Sequence, residues 1–380
     1  MTVVTFPAPA SITEAGAALL EYVGPQLQIL RTPSNPLQPI HRLFPQIDGS
    51  MVAAMDMAEC VREKFGSDVP GVLVASGPSF CTFVAGLLLA QNTDRKLVLD
   101  YRDEWTLCPF DFVAKSALDR AWERRCLERA DLVILTTESQ KRHLEQSFPE
   151  LVRGKCEVIP NGWEPALLSR VTASDGAAIE PGPEVWLTFA GMLGNYADPA
   201  VFLTTLGRVL SQRTDLRSRV RVRFVGKKRP QTRRRLRDFP FDGIVHDIDH
   251  VPPSVATRLM RESDAVLLFH SADFERYIPG KLYEYAASGT PILLFDDCGE
   301  STRIVQGLGL GQSLSSNDAT GLESALDSLV AARTRPRHSA DSASATALAS
   351  WLTEHTRQSL ARRFFNLVGS RLALSSTSQG

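Results

Sequence analysis

The sequence lacks any apolar run long enough to cross a bilayer: its longest, 80–90, falls short of the ~20 residues a spanning helix needs. Its N-terminus lacks the basic start and cleavage pattern of a secretory signal. It also lacks a dominant charge. Lys and Arg number 42 against 43 Asp and Glu, a formal net charge of -1, so nothing global draws the chain to nucleic acid. The six cysteines (Cys60, Cys81, Cys108, Cys126, Cys156 and Cys298) form no CxxC pair, which removes a zinc knuckle and a dithiol redox motif. The seven histidines form neither HxH nor HExxH, so no zinc site is expected. Scattered thiols inside apolar runs suit a reducing compartment, and the expectation is a cytoplasmic protein with room for peripheral contact at the inner membrane face.

What the chain does have is alternation. At 380 residues it exceeds what one core organises comfortably, and 43% hydrophobic against 22% charged residues is a globular composition. Short β-branched runs alternate with amphipathic helical patterns, which predicts parallel sheets covered on both faces. Strands are expected at 3–6, 27–30, 71–75, 96–100, 132–136 and 157–160, with helices at 12–23, 51–64 and 112–129. Ser11 and Glu14 make a capping box for the first helix. From Glu164 to Glu184 the pattern lapses into Ala, Ser, Asp, Gly and Pro, a linker composition. It restarts with strands at 185–190, 220–225, 265–270 and 291–295, and one long amphipathic helix is expected over 346–368 before a small-residue tail. The reading is α/β, with two Rossmann-like doubly wound lobes. They divide as 1–165, a linker at 166–184, 185–350, and a C-terminal helix and tail at 351–380 returning to the first lobe. Such folds hold ligands outside the carboxyl ends of their strands, in the crevice where lobes face each other.

The richest segment is Arg276-Tyr277-Ile278-Pro279-Gly280-Lys281-Leu282-Tyr283-Glu284-Tyr285-Ala286-Ala287-Ser288-Gly289-Thr290-Pro291. Pro279 suits a helix start, and Gly280 and Lys281 then offer free amides and a cation, a ready site for pyrophosphate. Glu284, one turn on among apolar neighbours, is a natural partner for a ribose diol. The plain alternative is a helix with a proline start, a glycine stop and snorkelling Lys and Glu side chains. Basic residues crowd 221–237, with Lys227, Lys228, Arg229, Arg233, Arg234 and Arg235. A solvated helix face and a contact for anionic substrate or lipid both fit that run. Asp247-Ile248-Asp249 spells a metal-binding aspartate pair, but it precedes Pro252-Pro253 in a connection, and such short matches arise by chance.

The segment from Pro279 to Leu293 resembles the donor-binding helix of the retaining GT-B glycosyltransferases of family 4. Other stretches resemble that family in the same order. They are Leu97-Val98-Leu99-Asp100-Tyr101-Arg102-Asp103-Glu104-Trp105, the helix and strand from Glu123 to Ile134, Val158-Ile159-Pro160-Asn161-Gly162, Phe189-Ala190-Gly191-Met192-Leu193-Gly194, and Phe224-Val225-Gly226. The resemblance implies transfer of a sugar from a nucleoside diphosphate sugar to an acceptor with retention, without cofactor or metal. It implies that Glu284 binds ribose, that Gly280 and Lys281 hold the diphosphate, and that Gly191 and Gly194 let backbone approach the donor. It places the base against backbone at 244–246, hence Val245, and the acceptor beside Arg102, Asp103 and Trp105. Asp103 and Lys281 are the catalytic candidates.

Departures from the family pattern matter too. Where many members carry a second glutamate, eight residues before Glu284, this chain has Arg276, beside Glu275. The stretch 192–199 has no basic residue, so Lys281, Lys227 or Arg229 must supply the phosphate cation. The sequence opens on what resembles the family's second strand, so a first βα unit is expected to be missing, with poor solubility, a protein partner covering the gap or an upstream in-frame extension as the alternative outcomes. A GT-B sugar-nucleotide 2-epimerase and a non-catalytic partner subunit share this architecture and remain as alternatives.

Overall fold

In the computed structural model, the described residues are 1–6, 28–33, 47–111, 113–166, 182–194, 197–270, 272–296, 299–333 and 342–372. The helix expected at 12–23, most of the linker and the tail lie outside them. The chain divides into two compact units. The first is Met1–Pro160 with Arg362–Gly380, and the second is Asn161–Ala361.

In the first unit, β1 (Thr2–Thr5) and β2 (Gln28–Arg31) pair in parallel as a two-stranded sheet. Val4 of β1 packs on the cluster of Ala58, Val61 and Leu89. A four-stranded parallel sheet follows in the order β3 (Val72–Gly77), β4 (Lys96–Tyr101), β5 (Leu132–Leu135), β6 (Cys156–Val158). Its helices are α1 (Met51–Phe65), α2 (Cys81–Ala90), α3 (Ala117–Arg129), α4 (Glu138–Ser147) and the single turn α5 (Pro149–Val152). All four side chains of β5 are buried, as expected of a short apolar run covered on both faces. α3 begins at Ala117, not at 112, because Ser116 and Asp119 form its capping box.

The second unit holds a six-stranded parallel sheet ordered β12 (Gly311–Leu314), β11 (Ile292–Phe295), β10 (Ala265–Phe269), β7 (Val185–Ala190), β8 (Val220–Val225), β9 (Val245–Ile248). Its helices are α6 (Ala200–Gln212), α7 (Thr214–Arg219), α8 (Pro230–Arg237), α9 (Pro253–Arg261), α10 (Gly280–Ser288), α11 (Gly299–Gly307), α12 (Ala319–Arg333) and α13 (Ser342–Glu354). Alternate residues serve opposite faces. Leu187, Phe189, Val222, Phe224, Leu267 and Phe269 join the helices of one layer. Val266, Leu268, Ile292 and Leu294 meet Met260, Leu282, Tyr283 and Tyr285 in the other. The chain runs outward from β7 through β8 to β9, then returns to the far side of β7 as β10. That reversal between β7 and β10 is a topological switch point, where adjacent loops diverge and leave room for a ligand.

The single helix expected over 346–368 is instead two, α13 and α14 (Arg357–Arg371), broken at His355-Thr356. The break has a cause. The Trp163 N–H donates to the His355 carbonyl at 3.1 Å, the Arg357 N–H donates to the Trp163 carbonyl at 2.9 Å, and Thr356 Oγ1 caps the Ser359 N–H at 3.1 Å. Farther along α14, Arg363 donates to the Val158 carbonyl at 3.0 Å and Arg371 pairs with Glu157. Among the described residues, no helix is long and apolar enough to cross a membrane.

Candidate functional site

A glycine follows each of β7 and β8 for a steric reason. Gly191 has φ +140° and Gly226 has φ +123°. A Cβ on Gly226 would lie 2.2 Å from the Gly191 carbonyl oxygen, and one on Gly191 would lie 1.9 Å from Lys281 Cε. Only glycine admits this packing of loop on loop and of the lysine over the loop. The Gly191 N–H donates to the Val225 carbonyl at 2.7 Å. Tyr285 fixes α10 to the same place, since its hydroxyl accepts from the Ala190 N–H at 2.9 Å.

Beside these glycines lies a cavity of about 210 Å³, reached by Gly191, Gly226, Lys281, Glu284, Glu164 and His250, with an apolar wall that includes Val251, Pro253, Ala256 and Met260. It sits next to the switch point between β7 and β10. Burial pulls the Lys281 ammonium below its usual range, opposed by Glu284, and its Nζ lies 5.3 Å from the centre of the Phe189 ring. Burial pushes the Glu284 carboxyl up, opposed by Arg357 and then by Lys281. Neither Lys281 nor Glu284 makes a side-chain hydrogen bond or ion pair with a described residue. Their donors and acceptors remain unspent.

Of the residues expected around the donor, Gly191, Lys281 and Glu284 come together here. Gly280 opens α10 directly before Lys281, and its N–H and that of Lys281 are among the helix's unpaired amides. Val245 does not reach the cavity. It is paired with Val222 in register and packs on the same core face, so the strand's alternation turns it inward. The loop after β9 supplies His250 and Val251 instead, and the start of α9 supplies Pro253, residues to which the sequence reading gave no site role. Gly194, Lys227 and Arg229 are also not among the residues lining the cavity. Arg229 lies against Gly194, with Nε 3.7 Å from where a Cβ would sit, and both Lys227 and Arg229 are exposed. The neighbouring basic residues are largely committed: Lys228 pairs with Asp247 at 2.7 Å, Arg233 with Asp249, and Arg235 with Asp198 at 2.6 Å. Asp247 and Asp249 are thus both ion-paired.

In the first unit, the loop after β4 carries the acceptor-side candidates. Trp105, which the resemblance places beside the acceptor, is a core anchor. It is fully buried, stacked on Phe80 at 5.1 Å with 4° between planes, and its Nε1 donates to Asp119 Oδ1 at 3.2 Å. A tryptophan ring that finds both an apolar bed and a polar partner for its N–H is drawn into the core. Arg102 pairs with Asp100 at 3.3 Å and reaches the Ile159 carbonyl at 3.5 Å. The Asp103 side chain makes no hydrogen bond or ion pair with a described residue, and burial pushes its carboxyl up to about 6, opposed by Arg102 and assisted by Glu104.

Beneath the loop lie acids that sequence reasoning missed. Glu104 is fully buried with His143 Nδ1 at 2.7 Å. Asp119 accepts from the Asp48 N–H at 2.8 Å as well as from Trp105. Glu123 accepts from the Tyr101 hydroxyl at 3.2 Å and from Thr106, and burial pushes it up to about 7. Glu123 and Asp119, four residues apart on α3, gave the only signal: two acids on the helix face that must be buried.

Two units of parallel sheet and helices, with a cavity at the carboxyl ends of the strands of the second, fit the GT-B fold. Solved structures agree on that fold. A sucrose-phosphate synthase from Thermosynechococcus elongatus is similar at a TM-score of 0.66 with 15% identity, covering 93% of this chain and 85% of that one. A glycosyltransferase from Rickettsia africae ESF-5 has a TM-score of 0.63 and 11% identity over 98% of this chain and 91% of its own. A protein assigned as a UDP-N-acetylglucosamine 2-epimerase from Listeria monocytogenes has a TM-score of 0.55 and 14% identity, over 99% and 97%. No curated protein sequence matches the chain. Residues 2–162 match the family described as "Glycosyl transferase 4-like domain".

Proposed function

We propose that the chain transfers a sugar from a nucleoside diphosphate sugar to an acceptor hydroxyl, with retention at the anomeric carbon. The observation that carries this reading is the cavity beside the β7–β10 switch point, where Lys281 and Glu284 are desolvated and unspent. Such a pair matches the two ends of a nucleoside diphosphate: an ammonium for phosphate and a carboxylate for a diol. The apolar wall at Val251, Pro253, Ala256 and Met260 suits a base.

As the bond from the anomeric carbon to the diphosphate breaks, its electron pair goes to the phosphate oxygen. Lys281 and the free amides at Gly280 and Lys281 then face more charge than in the ground state, which is the condition for lowering the barrier. The acceptor oxygen bonds to the anomeric carbon, and its proton leaves to Asp103 or to the departing phosphate. Asp103 suits the role because burial pushes its carboxyl up to about 6, toward the pH at which a base is most effective. The family match over 2–162 and the likeness to solved sugar transferases support this reading.

The test is a panel of UDP-, GDP- and ADP-sugars, following melting temperature and nucleotide release with and without candidate acceptors. One donor class is expected to raise the melting temperature and to release nucleoside diphosphate on addition of an acceptor. Donor isomerisation without acceptor would replace the reading with an epimerase. No response to any donor would overturn it.

A further inference from the structure

Glu284 faces the cavity on α10 with charged or titratable groups around it from several elements. Lys281 comes from its own helix, Glu164 from the segment entering the second unit, and His250 from the loop after β9. The fourth is Arg357, the first residue of α14, whose charge acts on Glu284 more strongly than that of Lys281 does. The Arg357 side chain makes no hydrogen bond or ion pair with a described residue.

Its backbone, by contrast, is fixed. Trp163 bonds to both His355 and Arg357 as one rung of parallel ladder, and its Nε1 donates to the Leu352 carbonyl at 2.9 Å. A Cβ on Gly162 would fall 2.4 Å from the His355 carbonyl oxygen, so the approach is close. Tyr283, the residue before Glu284, stacks on Trp351 at 5.4 Å with 4° between planes and on His355 at 5.6 Å. The α13–α14 elbow is therefore seated on α10 immediately beside the cavity carboxylate.

We propose that Arg357 is a positioning residue for nucleotide binding, holding Glu284 as an ionised carboxylate directed at the cavity. The proposal rests on the reading of Glu284 as the ribose ligand. A diol donates two O–H groups, which a carboxylate accepts with both oxygens and a carboxylic acid cannot. Burial favours the acid form. Lys281 opposes that only until phosphate claims it, after which Arg357 is the cation that remains for Glu284.

Calorimetric titration with UDP, GDP and ADP from pH 5.5 to 8.5 tests this with Arg357→Gln, Arg357→Lys, and both in a Glu284→Gln background. Arg357→Gln should weaken the best-binding nucleotide by up to roughly tenfold at the acidic end of the range and by less toward the alkaline end, where Glu284 ionises without help. The loss should grow as pH falls, Arg357→Lys should recover most of it, and Glu284→Gln should abolish the difference. A loss equal at every pH, or one that persists with Glu284→Gln, would overturn the proposal. Carbon-13 titration of the Glu284 carboxyl in the free protein separates the two readings. Its midpoint should rise in Arg357→Gln, and an unmoved midpoint sinks the role of Arg357 whatever the nucleotide does. A wild-type chain that binds none of the three nucleotides instead refutes the donor site itself.

Discussion

Replacing Gly191 with alanine should disable Lys281 without touching it. The added Cβ would sit 1.9 Å from Lys281 Cε and 2.7 Å from Nζ. Carbon atoms in contact keep ~3.5–4.0 Å, so the lysine must withdraw by roughly 1.5–2 Å and leave its phosphate position. A charge-assisted contact of this kind is worth about 1.5–3 kcal/mol, which corresponds to a roughly 10- to 160-fold weaker Kd for nucleoside diphosphate. Alanine at φ +140° also strains the backbone, lowering stability by about 1–3 kcal/mol. The two effects separate in a double-mutant cycle. Lys281→Ala alone should weaken binding as much as Gly191→Ala, and the double variant no more than either, because all three remove one contact. Calorimetry reads the binding and denaturant unfolding reads the strain. Losses that multiply in the double variant, or normal binding by a merely less stable Gly191→Ala protein, would refute the reasoning.

Asp103→Asn should lower turnover far more than donor affinity, and wild-type turnover should rise with pH through about 6 as the raised carboxyl deprotonates, a limb the variant loses. Equal loss of nucleotide binding would make Asp103 structural. Trp105→Phe should cost about 1–3 kcal/mol in unfolding experiments, since Asp119 loses a buried donor, and should leave the KM for acceptor unchanged when corrected for folded fraction. A selective rise in that KM would return Trp105 to the acceptor.

Legibility followed burial. The strands at 185–190, 220–225 and 265–269 could be read nearly to the residue because they are rich in Val, Leu and Phe and central in their sheet, even with Arg221 and Arg223 on one face of the second. β9 and β12 escaped, being edge strands whose Val-His-Asp-Ile and Gly-Gln-Ser-Leu sequences carry little apolar signal. The segment at α10 was legible because its helix start, cation and carboxylate are neighbours in sequence. His250 and Val251 were not, since nothing local marks a loop as one wall of a cavity closed by residues 30 positions away. Trp105 shows the converse limit: a loop aromatic beside charged residues reads as exposed until Phe80 and Asp119, distant in sequence, supply its bed and its acceptor. The break at His355 likewise depends on Trp163, far back in the chain.

That break also changes what counts as a module. Residues 342–361 follow the last strand of the second unit by some distance, and a gene cut at 350 would look clean on the page. Yet Trp351 and His355 form the bed under Tyr283, and the Trp163 N–H, carbonyl and Nε1 bond to residues 352–357. A lobe exchanged between related chains must therefore travel with this elbow, or arrive with a bare aromatic face under α10. The transferable cassette runs from Asn161 to Ala361, and its boundary is set by a two-bond rung and a ring stack.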